Sequence, residues 1–311
     1  IYCWNSSSPT ITNTIIAFNS SGLYLDESST ISLGFNCVYG NTDYNYSGLT
    51  DPTGSDGNIS VDPRIRRDGH LRSDSSCINA GDPAYTPAPG QTDIDGELRV
   101  HAGRVDIGAD EFVDSDADGL PDWWEKKYFG SVTAGDPTGD PDGDGVTNLR
   151  EYNRGSNPIL LVKYYVDATS GNDSWDGLAP TQTGGHGPKA TVQAAIDAAD
   201  PYDGCWIILA PGTYTGNGNR DIEFHGKAIT VRGTNPDDPA VVAATIIDCQ
   251  GAGRGFLFQS GETADSVLTG VTVKNGYASS GAGIYCCNSS SPMITNNTIT
   301  GNNAAGEYGE G

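Results

Sequence analysis

The chain has 311 residues, 42 of them Gly, and a formal net charge of −23. So acidic a composition argues against nucleic acid and anionic membranes as partners, because both need Lys and Arg to neutralise phosphate. No stretch is long and apolar enough to insert into a bilayer, which takes about 20 apolar residues.

The first residue is Ile and the single Met is Met293. The sequence therefore reads as a processed product or a window on a longer polypeptide. Residues 1–60 alternate short apolar runs with Asn, Ser and Gly turns, as in PTITNTIIAFNSSGLYL and STISLGFNCVYGN. Residues 61–113 are less regular and end in GRVDIGADEF. A paired acidic segment follows: DSDADGLPDWWE, a spacer, then DPDGDGVTNLRE. Each is a twelve-residue loop with oxygen side chains at positions 1, 3, 5, 9 and 12 and Gly at 6. The first supplies Asp114, Asp116, Asp118, Asp122 and Glu125 around Gly119. The second supplies Asp140, Asp142, Asp144, Asn148 and Glu151 around Gly145. Calcium takes six to eight oxygens, and alternate side chains on a tight loop provide them. The pattern predicts two Ca2+ sites; the bland alternative is an acidic linker that binds nothing. PDWWEKKYFG and TNLREYNRGS predict a short helix after each loop start, and Pro158 marks the end of the unit.

A new start comes at Leu160. The run PKATVQAAIDAADP is the one clear amphipathic helix, with Val192, Ala195, Ile196 and Ala199 at i, i+3, i+4 and i+7 and Pro201 as its stop. Short strands then return to the end of the chain. There, GAGIYCCNSSSPMITNNTI at 281–299 matches IYCWNSSSPTITNTII at 1–16, and joining Gly311 to Ile1 restores the pattern in register. Strand, turn and Asn-rich corner at this regularity predict an all-β fold: a right-handed parallel β-helix with an N-terminal cap helix and a small EF-loop-like calcium linker. Asn13 and Asn296 are expected at the corners as stacked amide ladders. The predicted divisions are 1–113 as the C-terminal half of a β-helix, 114–158 as the paired-loop linker, and 159–311 as the cap and first half of the next.

The opening YYVDATSGNDSWDGLAP with PKATVQAAIDAA and ILAPGTYTG resembles that of secreted bacterial right-handed β-helix proteins of the pectate-lyase-like superfamily. SVDPRIRRDGHLRSDSSCINAGDP with TDIDGELRV and RVDIGADEF resembles their ending, and the acidic pair resembles dockerin-like and thrombospondin-type-3 calcium repeats. The order here is ending, linker, opening. That order implies one unit of a tandem array, or subunits that complete each other's β-helix end to end.

No residue constellation predicts catalysis. Lys274 would point outward from its rung with no Asp cluster in register, GGHG at 184–187 reads as a loop, and His225 as a surface or ladder residue. Cys3 and Cys286 occupy equivalent positions of the repeat, predicted inward, as stacked free thiols or a bridge between neighbouring units. Among the NxS/T sequons (Asn5, Asn19, Asn45, Asn58, Asn172, Asn288, Asn296), Asn5 and Asn288 with the adjoining Ser6 and Ser289 are candidate glycan positions on an exposed corner. Asp93, Asp95 and Glu97, and separately Asn172, Asp173 and Asp176, fit either calcium sites or Asx turns. These observations lead to the expectation of a non-catalytic repeat unit of an extracellular fibre or cell-surface stalk, with identical copies end to end as partners. The alternatives are a secreted polysaccharide-binding or polysaccharide-cleaving protein and a dockerin-like plug for a scaffold.

Overall fold

Parallel pairing of each strand with the one a turn along the chain builds the structure. The computed structural model describes residues 1–101, 103–200 and 204–306. It is an all-β molecule in which parallel sheets wind into a β-solenoid of about 12 turns. Only 9% of the chain is helical. Contacts divide it into two compact units: Ile1–Gly139 with Asn148–Gly155, and Asp140–Thr147 with Ser156–Gly311.

In the first unit, Tyr2–Cys3, Ser21–Leu25 and Tyr44–Ser47 form one parallel sheet. Thr10–Thr12 pairs with Ser32–Gly34, and Ile15–Ala17 with Cys37–Tyr39. Thr10 faces Ser32 and Ile15 faces Cys37, so these partners lie one turn of 22 residues apart. Like side chains therefore stack: Ile11 on Leu33, and Ile16 on Val38. Each fully buried aliphatic contributes roughly 1.5–3 kcal/mol.

The corners follow the same offset. Asn13, Phe35 and Gly57 all have left-handed backbone, with φ of 50°, 55° and 73°. The next residue carries the amide ladder. Asn36 Oδ1 accepts from Thr14 N at 3.1 Å, and its Nδ2 donates to Ile11 O at 2.8 Å and to Asn58 Oδ1 at 3.1 Å. Asn58 Oδ1 also accepts from Asn36 N at 3.2 Å. The ladder predicted at Asn13 is thus displaced by one residue. Asn13 turns the chain, and its Oδ1 accepts from Asp82 N at 2.7 Å. The same correction holds for Asn296 (φ 53°): the neighbouring Asn297 accepts from Val271 N at 3.0 Å and donates to Leu268 O at 2.9 Å. Asn is favoured at the left-handed position for its own reason, its tolerance of positive φ, which is why the sequence pattern alone does not separate the two roles.

The second unit carries four parallel sheets. The longest runs Lys163–Val166, Trp206–Leu209, Thr230–Gly233, Val267–Thr269 and Met293–Thr295 in spatial order. Ile207, Val231 and Leu268 stack in register inside it, and Tyr214, Ile247 and Val273 inside the next sheet, all fully buried. The predicted cap helix is Val192–Ala198. Val192, Ala195, Ile196 and Ala199 are all buried, as their spacing requires. Thr191 caps its start by accepting from Ala194 N. Lys227 closes the other end, its Nζ donating to Ile196 O at 2.7 Å and Ala199 O at 2.8 Å, where a cation also suits the helix dipole. The stop assigned to Pro201 and the junction at Gly311 lie outside the described residues.

Replacing Asn36 with Ala leaves Thr14 N and Ile11 O without their buried partner. The expected loss is about 2–4 kcal/mol of unfolding free energy, read from urea denaturation followed by circular dichroism. A loss under about 0.5 kcal/mol would show that the ladder does not hold this corner.

Candidate metal centre

The acidic segment lies next to a small aromatic core in the first unit. The helices Asp122–Phe129 and Asn148–Arg154 are those the sequence predicts. Trp124 is fully buried against Tyr128, Phe129 and Tyr152, with centroid distances of 5.1, 5.7 and 5.9 Å. Tyr152 donates its hydroxyl to Leu71 O, which ties these helices to the body of that unit. The Arg66 guanidinium lies 4.7 Å from the Tyr152 ring centre.

The first loop starts on Asp114, whose Oδ1 accepts from Ala117 N at 2.8 Å and whose Oδ2 accepts from Gly119 N at 2.9 Å. Asp118 Oδ1 accepts from Leu120 N at 2.8 Å. Gly119 has φ of 98°, a left-handed value that a side chain would strain. This bend gathers Asp114, Asp116 and Asp118 so that one carboxylate oxygen of each lies within 4.8 Å of the others. Asp122 stands at the neck instead, accepting from Ser115 N and Ser115 Oγ at 2.8 and 2.6 Å. Glu125 is fully buried; its Oε1 accepts from Gly135 N at 2.7 Å, and its Oε2 has no hydrogen-bond partner. Burial and then the charges of Asp116, Asp118 and Asp122 hold the Glu125 carboxyl above its ordinary range. A buried anion among anions, with one oxygen unpartnered, suits a cation.

The second loop repeats these bonds. Asp140 Oδ1 accepts from Gly143 N at 2.9 Å and Oδ2 from Gly145 N at 3.0 Å, and Asp144 Oδ1 accepts from Val146 N at 2.6 Å. Asp140, Asp142 and Asp144 form a second trio of the same kind. Buried Asp142 Oδ2 has no partner. Asp140, Asp142 and Asp144 belong to the second unit, while Asn148 and Glu151, both buried, belong to the first. Asn148 Nδ2 donates to Asp136 O at 2.7 Å.

A further acidic group in the first unit is larger than the sequence suggests. His70, Asp95 and Asp110 form one tight set, and Asp93, Asp95 and Glu97 a second that shares Asp95. Burial first, then Asp95 and Asp93, pushes the Glu97 carboxyl up to about 8; burial pushes Asp110 up to about 7. The DxDxE run was visible in the sequence. His70 and Asp110 were not, because they come from other segments of the fold. By contrast, Asp173 commits its carboxylate to Ala190 N, Thr191 N and Thr191 Oγ1, a long-range tie to the start of the cap helix, while Asn172 accepts from Ser174 N and Asp176 from Leu178 N, which is turn chemistry.

The remaining predicted positions separate. Cys3 is buried and Cys286 exposed, both as free thiols. Cys286 pairs in register with buried Phe258, the inward face, and is exposed because its strand is the last of its sheet among the described residues. Asn5, Ser6, Asn288 and Ser289 are exposed, with φ of 58°, 64°, 52° and 63°. Asn58 is buried in the amide ladder, so that sequon is closed to sugar in the folded chain. Lys274 does have an Asp in register: Asp248 lies opposite it, 3.5 Å from its Nζ. His225 is half exposed beside Glu223 and Asp197. No protein-family model, curated protein or solved structure matches this chain.

Glu125→Gln removes a ligand charge while keeping the acceptor for Gly135 N. Calcium is expected to raise the melting temperature of the wild-type chain and to raise that of the variant much less, with one ion fewer bound per chain by calorimetric titration. Equal calcium-dependent shifts in both proteins would remove Glu125 from the site.

Proposed function

We propose that this chain is a non-catalytic structural unit, repeated end to end in an extracellular or cell-surface fibre, whose β-helices are joined by a calcium-stiffened segment at 114–158. One observation carries the reading. The strands Ile284–Cys286, Met293–Thr295 and Thr298–Thr300 recur as Tyr2–Cys3, Thr10–Thr12 and Ile15–Ala17. The same 283 positions separate Met293 from Thr10 and Thr298 from Ile15. The corners agree too: Asn288 and Asn5, Ser289 and Ser6, and Asn296 and Asn13 share left-handed backbone. Two turns of identical strand and corner geometry suit stacking of one on the other, as like turns do inside each unit. Ile1, Tyr2 and Trp4 on one turn, and Met293 and Ile299 on the other, present apolar surface at 46–63% exposure. Stacking a second copy removes that surface from water and pairs open strand edges, which otherwise invite aggregation.

Calcium supports the extracellular assignment. Loops of this kind in extracellular modules bind at roughly 10⁻⁴–10⁻³ M, where cation binding converts a mutually repulsive acidic segment into an ordered one by mass action.

A secreted polysaccharide-cleaving protein is the second reading, and Lys274 beside Asp248 is its observation. Against burial, hydrogen bonds from Asn275 and Gln250 N and then the charge of Lys274 hold Asp248 below its ordinary range, and the pair keeps Lys274 engaged. Reducing-end and unsaturated-product assays on pectin and alginate are expected to show no turnover; turnover lost in Lys274→Ala would replace the structural reading.

A tandem two-copy chain is expected to scatter as one continuous rod in small-angle X-ray measurements with calcium. Chelator is expected to open 114–158 to limited proteolysis while the strand signal persists. Two independently tumbling bodies with calcium present, or unchanged cleavage with chelator, would overturn the assembly and the calcium role respectively.

A further inference from the structure

The group around His70 is distinct in chemistry from the two all-oxygen loops. His70 Nδ1 lies 3.1 Å from Asp68 Oδ1, and Arg66 Nη2 donates to Asp68 Oδ2 at 2.7 Å. The ring is stacked on Trp123, with centroids 4.2 Å apart and planes 25° from parallel. These contacts fix the imidazole and leave Nε2 turned toward the acids, 3.5 Å from Asp95 Oδ2, longer than a hydrogen bond. Asp110 is 1% exposed; its Oδ2 accepts from Leu71 N at 2.7 Å, and its Oδ1 is buried with no partner. Both oxygens of Asp95 and Oε2 of Glu97 are likewise buried and unpartnered. Asp93 is already committed: it accepts from Gly96 N and Glu97 N at 3.0 and 2.8 Å and from Glu111 N at 3.0 Å, which holds the 93–97 turn in place.

We propose that His70, Asp95 and Asp110 form a binding site for a first-row divalent transition ion of the zinc class. Buried His70 Nε2, both oxygens of Asp95 and Asp110 Oδ1 make no hydrogen bond and need another partner. Ligand atoms within 4.8 Å of one another enclose a cation after a small contraction, since zinc binds nitrogen and oxygen at about 2.0–2.2 Å. An imidazole in the set favours a transition ion over calcium, which prefers oxygens throughout. Asp68 behind Nδ1 is the outer carboxylate that orients such a ligand and raises its basicity. Isolated bridges, Ile65 to Leu71 and Thr92 to Leu98, close two of the three ligand-bearing segments on themselves, and single bonds from Leu71 N to Asp110 and from Glu111 N to Asp93 tie each of them to the third. A metal clasp would bind these irregular segments together where regular strand pairing has ended.

The test uses the untagged full chain in saturating calcium, so that the all-oxygen loops are filled, and Co2+ as the probe. One Co2+ per chain is expected, with a visible d–d band that Zn2+ abolishes. Asp110→Asn keeps an acceptor for Leu71 N, so it preserves the fold; it is expected to weaken Co2+ binding at least about tenfold, as is His70→Ala. Asp118→Ala, in the calcium loop, should leave the band unchanged. Absence of the band, a band indifferent to Asp110→Asn, or thiolate charge-transfer absorption in its place would overturn the assignment.

Discussion

Turn-on-turn register is the constraint from which the rest of this molecule follows. In a solenoid each strand finds its partner one full turn along the chain, so every backbone donor and acceptor in a strand depends on the next turn being in phase. A slip of one residue would turn every inward side chain outward. The offset is 22 residues from Thr10 to Ser32 and from Ile15 to Cys37 in the first unit and 26 from Val267 to Met293 and from Thr272 to Thr298 in the second. It lengthens where a turn carries a longer loop, as in the 28 residues from Phe256 to Ile284. Corners enforce it. Left-handed residues fix where the chain bends, and the buried amides of Asn36 and Asn58 and the half-buried amide of Asn297 bond across to the neighbouring turn. The apolar stacks fill the interior, but they would tolerate sliding; the corner amides would not, because a displaced amide leaves a buried polar group unpaired.

The parts of the fold legible in the sequence are those that depend on short-range pattern. Short apolar runs gave strands, the 3.6-residue spacing of Val192, Ala195, Ile196 and Ala199 gave the cap helix, and two matched segments gave the recurring strand-and-corner turn. What was not legible depends on neighbours that lie a turn away. Asn at position 13 and Asn at position 36 look alike in sequence, yet one supplies a positive φ and the other a ladder amide. Cys286 shares a motif with Cys3 but differs in burial because its strand is the last of its sheet among the described residues.

Site legibility divides along the same line. A twelve-residue loop carries its own ligand spacing, so Asp114 and Asp140 could be read directly, and both anchor their loops with the same pair of backbone bonds. The His70 group is assembled by the fold from separate segments. Its only local trace is the run of acids at 93–97, which by itself is indistinguishable from a turn. What distinguishes it is the unpartnered buried oxygen of Asp110, a property that exists only once the chain is folded.

The treatment of buried acids shows where cations would matter to this protein. Within 156–306, buried Glu262 receives donors from Gly226 N, Ser260 N and Ser290 Oγ, and these bonds outweigh burial to hold its carboxyl below the ordinary range. Among the described residues of that stretch, no buried side-chain nitrogen or oxygen is left without a partner. The first unit is built differently. Glu97, Asp110 and Glu125 are each raised by burial and each keeps an oxygen without a hydrogen bond. Fully satisfied acids need nothing further from solution, whereas unsatisfied ones raise the free energy of the folded state until a proton or a cation reaches them. An ion that binds only the folded form relieves that strain, by an amount that grows with the logarithm of its concentration above the Kd. The chain thus handles a net charge of −23 in two ways: hydrogen bonds satisfy Glu262 among the regular turns, whereas Glu97, Asp110 and Glu125 of the first unit each keep an oxygen open to a proton or a cation.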